Sequence, residues 1–318
     1  MNTNDCVWYK TSDVSRMYIA IKLAGKVKAK IETLAAETLR RLRLASYLRS
    51  DRRPWRTGYN DYRIQYLSKV INDDELLEIF RTDSPLPDRY GFRLDARVVE
   101  IPWVLSRLEQ RTDSLLDAGS SLNHEFVLKA SVLANKKITI VTLTPETQCH
   151  WKLGVSYVFG DLRDLDFRDG RFDTIVCIST IEHVGMDNSM YTGNVYSAQA
   201  GDTQEFLSAI KELKRILKPG GVLYVTFPFG QYENHSWFQQ FDSQLVDALI
   251  AEFHPSHYSE TVFRYDADGW KLSDRASCGH CQFFDVHTSK YFDRNSTIDY
   301  PPDYPAGERA VTCLELFK

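Results

Sequence analysis

The feature that most constrains the fold of this chain is a series of short apolar runs, several of them β-branched, that alternate with helical segments after residue 110. Seven runs predict strands, at residues 114–119, 137–143, 155–161, 172–180, 221–229, 257–265 and 310–317. Helical spacing is found at residues 122–135, 204–217 and 241–253. Repeated strand–helix–strand units favour a mostly parallel sheet with helices on both faces. We therefore predict an α/β domain with a seven-stranded sheet over residues 110–318.

The first 109 residues predict a helical extension. An amphipathic helix is indicated by apolar residues at steps of three and four, namely Ala20, Leu23, Val27, Ile31 and Leu34. Residues 22–56 contain eleven Lys and Arg residues against three acids, a charge of +8 in a chain whose formal net charge is -4. Two interpretations stay open. The basic face is either the solvated side of a packed helix or a docking surface for membrane phospholipid or a phosphate-bearing substrate.

Three shorter features complete the extension. Residues 50–63 are interpreted as a loop rich in Arg and Tyr. Asp73 or Asp74 is expected to cap a short helix that ends near Phe80. Residues 96–108 have helical spacing, with Pro102 near a helix start or a kink.

Composition narrows the classes of function. The six cysteines are scattered, which does not suggest a disulfide framework and favours a reducing, cytoplasmic setting. The charge argues against a nucleic-acid partner for the molecule as a whole. The N-terminus lacks the apolar core of a signal peptide, and no run approaches the roughly 18 apolar residues of a membrane span. We therefore expect a cytoplasmic protein.

Candidate functional residues cluster after the predicted strands. Ligands of an open parallel sheet bind at the carboxyl ends of its strands. Five groups should converge there: residues 117–121, residues 142–145, Asp161, residues 179–183, and the segment from Phe229 onward. The sequence thus predicts one site along this edge of the sheet.

Four of these segments, taken in order, resemble class I S-adenosylmethionine-dependent methyltransferases. LLDAGSSLN (115–123) resembles their glycine-rich first motif, and GDLRDLDF (160–167) resembles their acidic loop. FDTIVCISTIEHV (172–184) and LKPGGVLYVTFP (217–228) resemble the fourth-strand motif and the turn and strand that follow it. The ordered set carries the resemblance, because each piece alone is common. It implies a Rossmann-like fold and S-adenosylmethionine as cofactor.

The resemblance also implies a set of cofactor-binding residues: Asp117, Gly119, Ser120, Ser121, Thr142, Asp161, Leu162, Ser179 and Glu182. Small residues in the first turn would let the backbone approach the methionine part of the cofactor, whose carboxylate a helix N-terminus favours. Asp161 would meet the adenine amino group. The segment over residues 90–103 would cover the cofactor, with Arg97 and Glu100 best placed to reach inward.

Two departures from the family pattern are informative. Only Gly119 remains of the usual glycines, and the missing G-x-G-x-x-G counts against a nicotinamide oxidoreductase. Thr142 stands where the family usually has an acid for the ribose hydroxyls. The ribose contact is therefore left open between Thr142, Glu100 and Thr144.

Histidines after the fourth and fifth strands are the candidate general bases. His183 follows the fourth strand, beside the expected position of the methyl group, and a histidine suits removal of a hydroxyl proton near neutral pH. His235 is the second candidate, and either ring could instead serve packing. Asn188, Tyr191 and Tyr62 are candidate substrate contacts. The glycine-containing insert after His183 is either a substrate lid or a surface loop.

GYNDYRI (58–64) and CISTIEHVGMDN (177–188) are similar to bacterial methyltransferases associated with surface-polysaccharide and glycoconjugate synthesis. This similarity implies O-methylation of a sugar or another small hydroxyl acceptor, with His183 as base. The alternatives are a module that binds S-adenosylmethionine without turnover and an N- or C-methyltransferase of another small molecule. No metal is expected, because Cys278 and Cys281 form a single CxxC that we interpret as two free thiols.

Overall fold

A computed structural model of the chain describes residues 11–193, 203–286, 289 and 300–318. These residues divide into two units, Met1–Tyr62 and Arg63–Lys318. Helix α1 (Thr11–Arg49) lies in the smaller unit, and α2 (Tyr59–Val70) begins there and continues into the larger one. Among the helices of the described residues, none is both long and apolar enough to cross a bilayer.

Aromatic packing closes the smaller unit. The ring of Tyr47 is buried against Tyr59 and Tyr62, at centroid distances of 6.2 and 5.7 Å. Gly58 has a φ of +91°, and a Cβ there would lie 2.5 Å from the carbonyl oxygen of Arg43. This tight turn allows α2 to begin at Tyr59. The prediction of a loop through residue 63 was therefore wrong at its end, because the turn is complete at Gly58.

The larger unit is built on an eight-stranded sheet. Its strands are β1 (Ser114–Ala118), β2 (Lys137–Thr142), β3 (Ser156–Phe159), β4 (Phe172–Ile178), β5 (Leu217–Pro228), β8 (His257–Asp266), β9 (Gly269–Ser273) and β10 (Ala310–Phe317). They are arranged in the order β3-β2-β1-β4-β5-β10-β8-β9, and β6 (Glu233–Asn234) pairs with β7 (Gln239–Gln240) in a separate ribbon. The first five strands are parallel, and β10, β8 and β9 are antiparallel to their neighbours.

All seven predicted strands are present, and the expected mixed α/β architecture is confirmed. The prediction of seven strands was wrong by one, because β8 turns back through a two-residue hairpin into β9. The backbone N–H of Asp268 donates to the Asp266 carboxylate in this turn (2.8 Å), and Gly269 follows with a φ of +113°. Trp270 then anchors β9, because its buried indole N–H donates to the carbonyl of Leu94 (2.9 Å).

The described part of the larger unit contains seven further helices: α3 (Asp74–Arg81), α4 (Arg97–Arg107), α5 (Glu125–Leu128), α6 (Ser189–Thr192), α7 (Glu205–Ile216), α8 (Ser243–Phe253) and α9 (Arg275–Cys278). Asp73 caps α3 as expected, because its carboxylate accepts the N–H of Leu76 (3.2 Å). The single helix predicted over residues 122–135 is wrong. The chain forms α5 and a separate 3-10 turn, divided by an extended Ala130.

Helix α4 packs against β4 and β10 with almost every residue buried. Pro102 lies inside it and has no N–H to donate to the carbonyl of Val98. The buried hydroxyl of Tyr90 donates to that carbonyl instead, at 2.6 Å. The substitute hydrogen bond satisfies a buried acceptor that the proline would otherwise leave without a partner.

The division predicted between residues 109 and 110 stays a prediction. Helices α3 and α4 come from the N-terminal segment, yet both lie within the larger unit together with the sheet. This placement brings the side chains of α4 to the ends of the parallel strands, where the candidate site lies.

Candidate active site

A cavity of about 530 Å³ opens at the carboxyl ends of the parallel strands. It brings together nine residues predicted for the site: Gly119, Ser121, Thr142, Asp161, Leu162, Ser179, His183, Asn188 and Tyr191. Arg97 also lines it, as expected for the segment before β1. Four predicted residues of the larger unit are not in the lining, namely Asp117, Ser120, Glu182 and His235.

The side chain of Asp117 stabilises the turn that follows β1. The buried Asp117 carboxylate accepts the N–H groups of Ser121 (3.2 Å) and Leu122 (2.8 Å). Burial raises the pKa of Asp117 to about 7, although both hydrogen bonds oppose the rise. The prediction that this side chain contacts the cofactor is not supported by its position, since its oxygens support the turn. Ser120 adopts a left-handed backbone, and its buried Oγ has no partner among the described residues.

Gly119 is required by the backbone itself. Its φ is +116°, and a Cβ would lie 2.0 Å from Oγ1 of Thr180 at the end of β4. A side chain here would displace Thr180 before it met any ligand. A substitution of Gly119 would therefore report on the fold as well as on cofactor binding.

A buried carboxylate on α4 fixes the end of β4. Glu100 is fully buried, and its Oε1 accepts hydrogen bonds from the hydroxyls of Ser179 (2.5 Å) and Thr226 (2.6 Å). Its Oε2 pairs with the guanidinium of Arg97 at 2.8 Å. Glu100 is not in the cavity lining, so its position does not support the ribose contact that the sequence left open. The side chain instead positions Ser179, whose hydroxyl turns towards α4.

Arg97 carries a fixed positive charge at the wall of the cavity. Burial disfavours that charge, but the carboxylates of Glu100, Glu308 and Glu182 outweigh it and raise the pKa of Arg97. The guanidinium therefore stays charged at every pH at which the protein is folded.

The loop after β3 presents Asp161 together with an arginine. Both carboxylate oxygens of Asp161 accept hydrogen bonds from the Arg163 side chain, three in all, and the backbone N–H of Arg163 adds a fourth at 2.9 Å. Burial opposes ionisation, yet these hydrogen bonds lower the pKa of Asp161. Asp161 is thus an ionised acceptor at the cavity wall, already oriented by its neighbour.

The loop after β2 contains a lining residue that the sequence analysis did not identify. Thr142 and Thr144 both line the cavity, and so does Glu146. Glu146 is the only acid between the end of β2 and Gly160. The sequence could have indicated Glu146 by this fact, because a carboxylate in a loop after a strand binds hydroxyl groups better than a threonine does.

His183 lines the cavity as a neutral ring with one free lone pair. Its Nδ1 lies 2.9 Å from the carbonyl oxygen of Trp237. A carbonyl only accepts, so Nδ1 carries the proton and Nε2 is the basic nitrogen. Burial lowers the pKa of His183 to about 4, against a favourable contribution from the Trp237 hydrogen bond. The ring is consequently unprotonated near neutral pH.

Three neighbours define the surroundings of His183. Glu182 is buried, with Oε1 3.9 Å from Nε2 of His183 and Oε2 without a hydrogen-bond partner among the described residues. Burial raises the pKa of Glu182 well above its ordinary value. Tyr191 meets the His183 ring edge-on at 5.5 Å and is half-exposed. Asn188 donates its amide to the carbonyls of His183 (3.0 Å) and Met186 (3.1 Å), which holds the loop.

His235 lies away from the cavity. Its ring stacks on Phe238 at 4.5 Å, with Nε2 3.3 Å from Glu233 and Nδ1 3.6 Å from Asp285. The structure therefore does not support His235 as a second base. Packing and two carboxylates account for its position.

Several predictions fall elsewhere. Tyr62 belongs to the smaller unit, and its contact with substrate stays a prediction. Residues 194–202 of the expected lid lie outside the described residues. Cys278 and Cys281 are buried free thiols. Within the described ranges, no group of three or more His, Cys, Asp or Glu side chains is arranged to hold a metal ion.

Comparison with known proteins identifies the domain. Residues 118–225 match the model of a family described as "Methyltransferase domain". The chain contains an S-adenosylmethionine-dependent methyltransferase domain. This match spans β1 to β5, the strands whose ends form the cavity, and it confirms the resemblance at the level of enzyme class and cofactor.

Solved structures similar to this methyltransferase include the YcgJ protein of Bacillus subtilis, at 15% identity and a TM-score of 0.41 over 69% of this chain and 97% of that one. Another is the 1,6-didemethyltoxoflavin-N1-methyltransferase of Burkholderia thailandensis, at 13% identity and a TM-score of 0.42 over 81% of this chain and 89% of that one. That protein was solved with 1,6-didemethyltoxoflavin and S-adenosylhomocysteine bound. None of the curated proteins matches the methyltransferase.

The cavity fits S-adenosylmethionine in size and chemistry. Its volume lies within the roughly 300–1,000 Å³ of small-molecule sites. Arg97 offers a cation for a carboxylate, Glu146 an acceptor for hydroxyls and Asp161 an ionised acceptor for an amino group. A glycine wall at Gly119 and Gly160 lets a ligand approach the backbone closely.

Proposed function

We propose that this methyltransferase methylates a hydroxyl group of a small acceptor, most simply a sugar, with His183 as the general base. The observation that carries the proposal is the orientation of the His183 ring. The carbonyl of Trp237 accepts a hydrogen bond from the protonated Nδ1, so Nε2 is the basic nitrogen of a residue that lines the cavity. A neutral imidazole with a fixed tautomer is the arrangement that general base catalysis needs.

The low pKa of His183 is compatible with this role. A hydroxyl is far less acidic than a protonated imidazole, so His183 would not deprotonate it in advance. As the carbon–oxygen bond forms, the oxygen becomes positively charged and its proton becomes strongly acidic. A base with a pKa of about 4 then accepts that proton readily. Proton transfer would accompany or follow bond formation.

Bound S-adenosylmethionine supplies an electrophilic methyl group on a sulfonium, and the chain supplies position. Arg97 would pair with the carboxylate of the cofactor, and Glu146, aided by Thr144, would accept hydrogen bonds from the ribose hydroxyls. Asp161 would accept the adenine amino group. Much of the acceleration of an in-line displacement comes from such positioning.

The acceptor side of the cavity supports a small polar molecule with an apolar face. Tyr191 offers an aromatic ring beside His183, on which the C–H face of a sugar would pack. The assignment to a sugar, to glycan biosynthesis and to the cytoplasm rests on the sequence similarities and on the scattered cysteines. Asn188 would influence substrate binding indirectly, because it holds the loop that follows His183.

Turnover is tested by release of S-adenosylhomocysteine with a panel of free sugars, nucleotide sugars, phenols and primary amines. The proposal expects turnover with a hydroxyl acceptor, and the product's mass and NMR spectrum would show an O-methyl group. Turnover with amines alone would replace it by N-methylation. Calorimetric binding of S-adenosylmethionine without turnover on any acceptor would favour the module without activity.

Cofactor contacts are tested with Glu146→Gln. Loss of the charged acceptor should weaken S-adenosylmethionine binding about tenfold, since a hydrogen bond to a charged group contributes about 1.5–3 kcal/mol. Glu125→Gln, an exposed site on α5, is the matched control and should leave the affinity unchanged. Equal affinity in both variants would remove Glu146 from the ribose contact.

A further inference from the structure

Helix α1 exposes a row of large apolar side chains. Six of them are between 53% and 65% exposed: Leu23, Val27, Ile31, Leu34, Leu39 and Leu42. Single exposed apolar residues are ordinary on protein surfaces, but contiguous sets indicate an interaction surface. We call these six residues the apolar row.

The apolar row occupies one side of the helix. At 100° per residue, five of its six members fall within an arc of about 100°, and Leu39 lies about 60° outside it. Basic residues border this arc, with Lys30 and Arg41 on one side and Lys28 on the other. Lys22 and Arg40 lie on the opposite face.

The charge of α1 is almost entirely positive. From residue 22 to its end at Arg49, the helix contains eight basic residues and two glutamates. Arg43 is engaged within its own unit by Asp61, at 2.8 Å. Lys22, Lys28, Lys30 and Arg40 are exposed, and the pair between Lys28 and Glu32 is loose at 3.9 Å. Such a surface repels a second copy of itself and attracts a dense anionic one.

We propose that α1 lies along the surface of an anionic phospholipid bilayer. The apolar row would enter the boundary between headgroups and acyl chains, and the bordering basic residues would contact lipid phosphates. A helix of 39 residues is about 58 Å long, which gives a contact extended along the membrane plane. The inference does not depend on the proposed acceptor of the methyl group.

Co-sedimentation of the full-length protein with lipid vesicles tests the proposal. Vesicles of phosphatidylcholine containing about a third phosphatidylserine should bind at least about tenfold more tightly than pure phosphatidylcholine. Raising the salt to about 0.5 M should reduce that binding by at least about tenfold. Absence of binding to both vesicles, or equal binding to both, would overturn the proposal.

Two variant sets separate the charge from the apolar row. The triple variant Lys28→Gln, Lys30→Gln, Arg41→Gln should lose most of the binding, whereas Lys28→Arg, Lys30→Arg, Arg41→Lys should keep it. Ile31→Ser with Leu34→Ser should also lose it. Circular dichroism on each variant would show that the helix is retained. Binding unaffected by the serine pair would overturn insertion of the apolar row.

A second copy of the chain is the competing occupant. Analytical ultracentrifugation distinguishes a dimer from a membrane-binding surface. The bilayer proposal expects the oligomeric state to be the same in the parent protein and in the variant Ile31→Ser with Leu34→Ser. A dimer that dissociates in that variant, in a protein that ignores anionic vesicles, would assign the apolar row to self-association and overturn the bilayer proposal.

Discussion

Two histidines follow neighbouring parallel strands, and the structure gives them different surroundings. His183 lines the cavity after β4, with one nitrogen held by a backbone carbonyl and the other free of any proton. His235 lies in the segment after β5, stacked on Phe238, with each nitrogen within 3.6 Å of a carboxylate. The same residue type after a buried strand therefore serves a candidate catalytic site in one case and packing in the other.

The segment that contains His235 also supports His183. Gln231 donates its N–H to the carbonyl of Cys281, and the side chain of Gln240 donates to the same oxygen, both at 2.9 Å. Between these two anchors lies Trp237, whose carbonyl accepts the Nδ1 proton of His183. Gln231 and Gln240, rather than the His235 ring, therefore hold the segment that orients the other histidine.

The largest expected effect separates the two histidines directly. His183→Ala should lower kcat by about a hundredfold to ten-thousandfold, which is the usual contribution of a general base. The affinity for S-adenosylmethionine should change little. His235→Ala is the matched variant, and it should retain most of its kcat because its ring does not line the cavity. Steady-state kinetics and calorimetry on both proteins provide the measurement.

Either of two results would break the comparison. Retention of kcat in His183→Ala would show that the proton leaves by another route. A parallel collapse of cofactor binding and activity would make His183 a structural residue, and the kinetic loss would then say nothing about proton transfer.

The second effect concerns the stability contributed by the buried carboxylate of Glu100, which holds Ser179 at the end of β4. Glu100→Gln removes the charge that faces Arg97 and weakens the acceptor of Ser179, so it should reduce the free energy of unfolding by about 3 kcal/mol. Glu125→Gln breaks an exposed pair with Lys129 and should lower the free energy of unfolding much less. Urea denaturation followed by fluorescence would compare them. Equal losses would mean that the Glu100 cluster is no more stabilising than a surface pair.

The third effect is on the pH dependence. Because burial lowers the pKa of His183 to about 4 from 6.5, the acidic limb of kcat/KM should lie near pH 4. At pH 5.5 the enzyme should be about tenfold more active than an unperturbed histidine would allow. The same shift affects stability. Between pH 6.5 and pH 4 the unfolded chain binds a proton that the folded one does not, so the contribution of this group becomes increasingly destabilising as the pH falls through that window.

A pH profile measured on kcat/KM with stability followed in parallel would check this. An acidic limb near pH 6.5 would show that the ring is better solvated than its surroundings suggest. The pKa of His183 would then not differ from that of an ordinary surface histidine.

The positions of most strands could be predicted, because a buried strand appears in the sequence as a run of apolar, often β-branched residues. All seven predicted runs form strands. Strand β9 was missed although Asp268 and Gly269 gave a hairpin signal. Residues 122–135 failed for a different reason. Apolar spacing in a buried connection suits short turns as well as a helix, and the extended Ala130 divides the two turns that place Val127 and Leu133 in the core.

Site residues could be predicted only to the level of the strand ends. Sequence position brought Gly119, Asp161 and His183 to one cavity, because parallel strands end on one edge. It could not show which way a side chain turns once there. Asp117 turns towards the backbone of its own loop and Glu182 into the interior, and a position at a strand end does not fix either direction.

The smallest expected effect tests whether Glu182 acts on His183 by charge. Burial raises the pKa of Glu182 well above its ordinary value, which favours the uncharged carboxyl. Glu182→Gln keeps the size and the neutral state, and kcat should therefore stay within about threefold of the parent enzyme. An ionised Glu182 only 3.9 Å from Nε2 would instead stabilise the protonated ring. In that case the glutamine variant would lower the acidic limb of the pH profile and reduce kcat well beyond threefold. The pair of measurements, kcat at pH 7 and the position of the limb, decides between a neutral neighbour and a charged one, and so decides whether His183 acts alone.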